Sequence, residues 1–235
     1  MEKEFSAVDF KFKHPFTAMV AGPTGSGKTI LIRRILKNYK ILLANLRPEA
    51  SSHGLRVLWC YGVWQSLYDV PIAEDVIVTY NEGFPDYQAL NTPQLKPDVI
   101  VVDDLMSGMK NNTDMADLFT KGSHHHGISV ILCVQNVFDK HVRTVSVNSH
   151  YLLLMKNPRD RSQILHLGRQ LYPEKPSKLG QVFAEATKEP YSYLKIDIRV
   201  DTPEELKLQS RITPEEAEHT GHRWAPYYYK PKKSI

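Results

Sequence analysis

The sequence predicts an α/β fold: a mostly parallel central sheet covered by helices on both faces. Three observations carry this. Short apolar runs rich in β-branched residues recur along the chain, such as VIVV at 99–102 and SVILCV at 129–134. They lack the alternation of a half-exposed strand, so both of their faces must be covered. Segments of helical spacing and polar stretches lie between them, and the first run passes through a glycine-rich turn straight into a helix.

Taken in order, the first strand is FTAMVA, from Phe16 to Ala21, and the helix after the turn is KTILIRRILKNY, from Lys28 to Tyr39. Ile30, Leu31 and Ile35 stand at helical spacing there, with Arg33, Arg34 and Lys37 between them. Further strands are predicted at Arg56–Tyr61, Asp75–Tyr80, Asp98–Val102, Ile128–Val134, Tyr151–Met155 and Tyr193–Ile198. A polar helix is expected around Thr113–Phe119, capped by Asn112 or Thr113. Residues 1–200 form one α/β domain whose core starts near residue 10. Residues 201–235, with Pro203, Pro214, Pro226 and Pro231, read as an extended tail or docking arm.

Composition narrows the class. The 235 residues are 42% hydrophobic and 24% charged, which excludes a chain too poor in apolar surface to fold. The formal charge of +4 permits a nucleic-acid partner without requiring one. No stretch reaches the roughly 18–20 apolar residues of a membrane span, and MEKEFSAVDFKFKH has no apolar core of a secretory signal. Cys60 and Cys133 each sit inside an apolar run and read as buried thiols. Adjacent residues point different ways and no CxxC or HExxH accompanies the His124–His125–His126 triplet, so a zinc site is not expected there.

The informative segment is Gly22-Pro23-Thr24-Gly25-Ser26-Gly27-Lys28-Thr29, a full GxxxxGK[ST] motif. Glycines let backbone amides wrap a phosphate chain, Lys28 reaches the β- and γ-phosphates, and the Thr29 hydroxyl can ligate Mg²⁺. The helix that begins here turns its positive end to the same phosphates. ATP and Mg²⁺ are therefore the expected substrate and metal.

A second half is needed, and VIVVDD supplies it at the end of a buried strand. Asp103 would hold Mg²⁺ directly or through water, and Asp104 would accept a proton from the attacking water. Two solvated acids, with Asp104 capping a helix, are the plainer alternative. Small-molecule kinases and GTPases usually lack such a proton acceptor, whereas hydrolytic motors usually have one, more often Glu. Asp104 is one methylene shorter. Gln135, at the end of the next strand, can sense the γ-phosphate and orient the water; a simple turn residue is the alternative there.

GPTGSGKT, VIVVDDLM, GSHHHGISVILCVQN and YLLLMKNPRDRSQILHLGRQLYP together resemble the genome-packaging ATPases of double-stranded DNA viruses and polinton-like elements. These belong to the FtsK/HerA superfamily and include the poxvirus packaging ATPase. The resemblance covers roughly residues 15 to 200. It implies a RecA-like P-loop NTPase core that assembles as a homo-oligomeric ring around duplex DNA and drives it into a capsid. Double-stranded DNA, contacted without regard to sequence, further copies of the chain and a capsid protein are the implied partners. The implied setting is the interior of an infected host cell or the virion.

Within that family pattern Gln135 matches the polar strand-end residue, and His124 and His125 become structural or interface groups. Ring ATPases also take a cation from the neighbouring subunit. Relatives often carry an arginine just before the sensor strand, where this chain has Lys121. Lysine lacks the planar fork of arginine. Arg159 and Arg143 rank above Lys121 for this role, with Arg161 a further candidate. Lys110, Lys156, Arg159, Arg161, Lys230, Lys232 and Lys233 are candidate DNA contacts, and the Trp224–Lys230 stretch mixes aromatics with bases. Two other functions share the P-loop: a small kinase and an assembly factor that binds ATP with little hydrolysis. The kinase would need a mobile lid, for which Arg159, Arg161 and Arg169 could be mistaken, and Asp104 and Gln135 argue against it.

Overall fold

Strands that are apolar on both faces can only be accommodated in a sheet covered on two sides, and that is where they lie. The structure, a computed structural model, describes residues 7–84, 96–105, 119, 127–138, 143–159, 161–216 and 226–229. Its strands are β1 (Phe12–Lys13), β2 (Thr17–Ala21), β3 (Leu43–Ala44), β4 (Leu55–Tyr61), β5 (Val76–Glu82) and β6 (Val99–Asp103). They continue with β7 (Ser129–Val134), β8 (Tyr151–Met155), β9 (Tyr193–Asp197), β10 (Leu208–Ser210) and β11 (Tyr227–Tyr228). Every residue of β2, β6, β7 and β8 is buried.

The main sheet has nine strands in the order β11-β10-β9-β8-β2-β7-β6-β4-β5. From β8 to β5 all neighbours are parallel. β9, β10 and β11 join antiparallel at the other side. β1 and β3 form a separate parallel pair.

The helices are α1 (Lys28–Lys37), α2 (Tyr39–Leu42), α3 (Pro48–His53), α4 (Arg143–Val147), α5 (Arg161–Leu171) and α6 (Ser177–Ala186). Because successive strand residues face opposite ways, the sheet splits its apolar residues into two cores. Ala18, Val20, Val99, Val101, Ile131 and Leu153 pack beneath α1 with Leu31, Ile32, Ile35 and Leu36. Met19, Ile100, Val102, Leu132, Leu152 and Leu154 pack against Ile164 and Leu167 of α5 and Leu179 and Phe183 of α6. Helices therefore cover both faces, as the sequence predicts. Cys60 and Cys133 are buried thiols, and burial pushes the Cys60 thiol up to about 12. Among the described residues no helix is long and apolar enough to cross a membrane.

The segment after residue 200 is assigned from sequence to an extended tail or docking arm. Its described part docks on the domain that precedes it. β10 and β11 extend the sheet, and Leu206, Leu208 and Ile212 are buried. Short antiparallel edge strands with three or fewer residues have too little periodicity to be read from sequence. The polar helix expected around Thr113–Phe119 lies outside the described residues except for Phe119, which is buried. Conversely α3, α5 and α6 carry weaker patterns and emerge only in the fold.

Lys195, in the middle of β9, is fully buried. Its ammonium donates to Phe10 O at 2.9 Å and Gln209 Oε1 at 2.9 Å, and lies 4.3 Å from the centre of the Phe12 ring. Burial lowers its pKa to about 7, against the opposing pull of the Asp197 carboxylate on the same strand and with a smaller lowering from Arg199. In the unfolded chain this lysine stays protonated to about pH 10.4. Between pH 7 and that value the unfolded state binds more protons, so stability rises with pH through this window. The expected result is a slope of up to about 1.4 kcal/mol per pH unit between about pH 7.5 and 9.5, lost in Lys195→Met. Urea midpoints at several pH values measure it, and parallel slopes in the two proteins would overturn it.

Candidate active site

The register of the parallel strands brings their C-terminal ends to one edge. Ala21 lies opposite Val134, and Asp103 lies opposite both Cys133 and Tyr61. The residues that follow, the glycine-rich loop after β2, Asp104 after β6 and Gln135 after β7, are thereby gathered at the edge where open α/β sheets bind ligands.

The loop leaves β2 while still tied to β7, with Gly22 N donating to Val134 O at 3.1 Å. It turns through a Ser26 N to Pro23 O bond of 3.1 Å. Gly25 and Gly27 have φ of 77° and 94°, the left-handed region that other side chains rarely adopt. Gly27 caps α1, and Leu31 N donates to its carbonyl at 2.9 Å. A Cβ placed on Gly25 would meet nothing within 4 Å, so the left-handed backbone and not crowding is what calls for glycine there. A tight glycine-rich turn that leaves a strand and enters a helix is the form of a phosphate cradle.

Lys28 folds back across this loop, donating to Gly22 O at 2.8 Å and Pro23 O at 3.1 Å. Those bonds hold a long flexible side chain over the cradle, so less entropy is lost when it engages an anion. Thr29 Oγ1 donates to Asp103 Oδ2 at 3.1 Å. Asp103 is only 2% exposed. Its Oδ2 accepts a second bond from the Tyr68 hydroxyl at 3.0 Å. A hydroxyl and a carboxylate, all oxygen donors beside a phosphate cradle, suit Mg²⁺, which uses one or two carboxylates and completes its shell with water and substrate. The residues therefore fit the expected metal.

Asp104 follows at φ 53° and is exposed. Asp tolerates the left-handed region better than most side chains, and the turn separates the two acids: Asp103 points into the protein and Asp104 stays at the surface of the cleft. Gln135 is exposed at the end of β7. Both line a cavity of about 570 Å³ together with Lys28, Thr29, Asp103 and Tyr191. That size lies within the range of small-molecule sites.

Three contributors were not legible in the sequence. Tyr68 comes from the 3₁₀ turn Ser66–Asp69, and burial, reinforced by the charge of Asp103, pushes its hydroxyl well above the usual range. It stays a neutral donor. Arg33 on α1 holds the chain just after that turn by donating to Val70 O and to Pro71 O, the latter at 3.2 Å. Tyr191 enters from the loop before β9. Nothing in YGVWQSLYD or KEPYSY marks either tyrosine as a site residue without the fold.

The other sequence-derived candidates are not gathered here. Arg159 is exposed past the end of β8, with its amide donating to Asn157 Oδ1 at 3.1 Å, and it is not a lining residue of the cleft. Arg143 begins α4, which leads into the far end of β8, and its side chain lies outside the described residues, as does that of Arg161. Lys121, Lys110, the triplet 124–126, Trp224, Lys230, Lys232 and Lys233 also lie outside them. Arg169 sits on α5, whose Ile164 and Leu167 are core residues, so this stretch is a packed helix and not a lid.

The fold is shared with solved structures. The DNA-packaging ATPase B204 from Sulfolobus Turreted Icosahedral Virus matches with a TM-score of 0.53 and 16% identity, covering 80% of this chain and 94% of that one. The genome packaging NTPase B204 from Sulfolobus turreted icosahedral virus 2 in complex with ATP-gammaS gives 0.50 and 16%, covering 78% and 93%. The same NTPase in complex with AMP gives 0.50 and 18%, covering 78% and 92%. No protein-family profile matches the chain, and no curated protein does. At these identities the likeness establishes the P-loop ATPase fold.

Proposed function

We propose that this protein is an ATP-hydrolysing motor that translocates double-stranded DNA and packages it into a viral capsid. The observation that carries the reading is the joined pair of Thr29 and buried Asp103, flanked in one cleft by exposed Asp104 and Gln135. A nucleotide-binding site alone would need the first two; hydrolysis by water calls for the last two. The match to a protein described as a DNA-packaging ATPase supports the choice of work done.

In this mechanism the amides of Gly25 and Gly27 and the ammonium of Lys28 hold the phosphate chain. Thr29 and Asp103 would hold Mg²⁺, which would supply charge neutralisation for the phosphates. Tyr68 keeps Asp103 oriented by donating to it. Asp104 takes the proton of the attacking water, and Gln135 orients that water. Most of the rate comes from positioning and charge stabilisation. A cation from the neighbouring subunit of a homo-oligomeric ring completes the site, with Arg159, Arg143 and Lys121 as the candidates. The exposed position of Arg159 outside its own cleft supports placing it in that of a neighbour. A capsid protein is the docking partner, inside an infected cell or in the virion.

Turnover of ATP with and without duplex DNA tests the reading. A translocating motor grips phosphates without regard to sequence, so stimulation should be independent of DNA sequence. It should also fall steeply between about 50 and 200 mM salt, conditions over which phosphate contacts lose orders of magnitude in affinity. Turnover indifferent to DNA at every salt concentration would remove the motor. Dependence on a small-molecule acceptor would identify a kinase, and binding without turnover would identify an assembly factor.

A further inference from the structure

We infer that Tyr191 is the platform on which the nucleobase stacks, so that the cleft has a base subsite as well as a phosphate cradle. This rests on the nucleotide-binding reading above. In the sheet the carboxylates lie on one side of the glycine-rich loop, on β6 beyond β7, whereas Tyr191 precedes β9 on the other side, beyond β8. A nucleoside triphosphate with its reacting phosphate towards Asp103 and Asp104 must send its base the opposite way, and Tyr191 stands there.

The tyrosine is built for contact and not for the core. It is 69% exposed, yet it lines the cleft and stands beside the loop, close enough that a Cβ added at Gly27 would lie 3.3 Å from its Cδ1. Its φ is 60°, a conformation that a bulky residue rarely holds unless the surroundings impose it. The surroundings do impose it. Ser192 donates through its hydroxyl to Glu189 O, and Lys156 N donates to Ser192 O at 3.0 Å, pinning the loop to the end of β8. The ring also stands between two spaces, because a second cavity of about 640 Å³ shares Arg34, Tyr191 and Tyr193 with the nucleotide cleft. A strained, anchored and exposed aromatic beside a phosphate cradle gains nothing for stability, where glycine would serve better. It offers a π face, and every base has a matching one.

The platform is therefore tolerant of base identity. The test compares binding of ATP, GTP and inorganic tripolyphosphate by isothermal titration to the full chain and to Tyr191→Ala, Tyr191→Gly and Tyr191→Phe. Loss of one stacked base is expected to weaken ATP and GTP roughly ten-fold or more in the Ala and Gly proteins. Tripolyphosphate affinity should be unchanged, and Phe should restore wild-type values. The Gly protein should melt no lower than wild type, separating lost binding from lost structure. Equal loss of tripolyphosphate and ATP in the Ala protein would reduce Tyr191 to a support of the loop and overturn the inference. So would wild-type ATP affinity in that protein. A wild-type chain that binds neither ATP nor tripolyphosphate would instead overturn the nucleotide reading itself.

Discussion

Lys28→Ala is expected to lower ATP turnover by about 10²–10³-fold, the usual cost of removing one well-placed donor from a developing negative charge. The ammonium stands over the cradle on two loop carbonyls, Gly22 O and Pro23 O, and only a side chain of this length and charge can leave them for a phosphate. Alanine is a strong helix former at the first position of α1, so the helix itself should persist. The fold should survive, with far-UV circular dichroism and melting close to wild type. Steady-state turnover and nucleotide titration provide the check, and a loss below about ten-fold would show that hydrolysis takes place elsewhere.

Asp104→Asn is expected to lower turnover by about 10²–10⁴-fold, the range for loss of a positioned general base. Nucleotide affinity should be kept, since the phosphate cradle and the Thr29–Asp103 pair are untouched. The substitution is unusually clean. Asn accepts the left-handed φ of 53° as readily as Asp, and an exposed carboxylate leaves no buried partner unpaired. A protein that binds ATP normally yet turns over at wild-type rate would reduce Asp104 to the solvated turn residue that the sequence also allows. The two variants together separate holding the nucleotide from cleaving it.

Much of the architecture follows from local pattern. FTAMVA, VIVV, SVILCV and YLLLM are apolar on both faces, and β2, β6, β7 and β8 lie where such runs must lie. Leu31, Ile32, Ile35 and Leu36 of α1 turn to the sheet as their spacing requires. The short strands β10 and β11 were not legible, because an antiparallel edge pairing depends on a partner strand and not on a periodicity of its own. The same holds for α5 and α6, which owe their place to packing of Leu167 and Leu179 against the sheet.

The site divides along the same line. Gly25, Gly27, Lys28 and Thr29 are contiguous, and their chemistry belongs to the backbone and side chains of one turn, so the sequence alone determined the phosphate cradle, its lysine and the acids at a strand end. The tertiary structure decided how those acids are placed: Asp103 is buried and accepts from Thr29 and Tyr68, while Asp104 is exposed with a left-handed backbone. It also decided that Tyr191 faces Gly27. These contacts join segments far apart in the chain, and only the closing of the sheet, driven by burial of its two apolar faces, brings them within reach of one another.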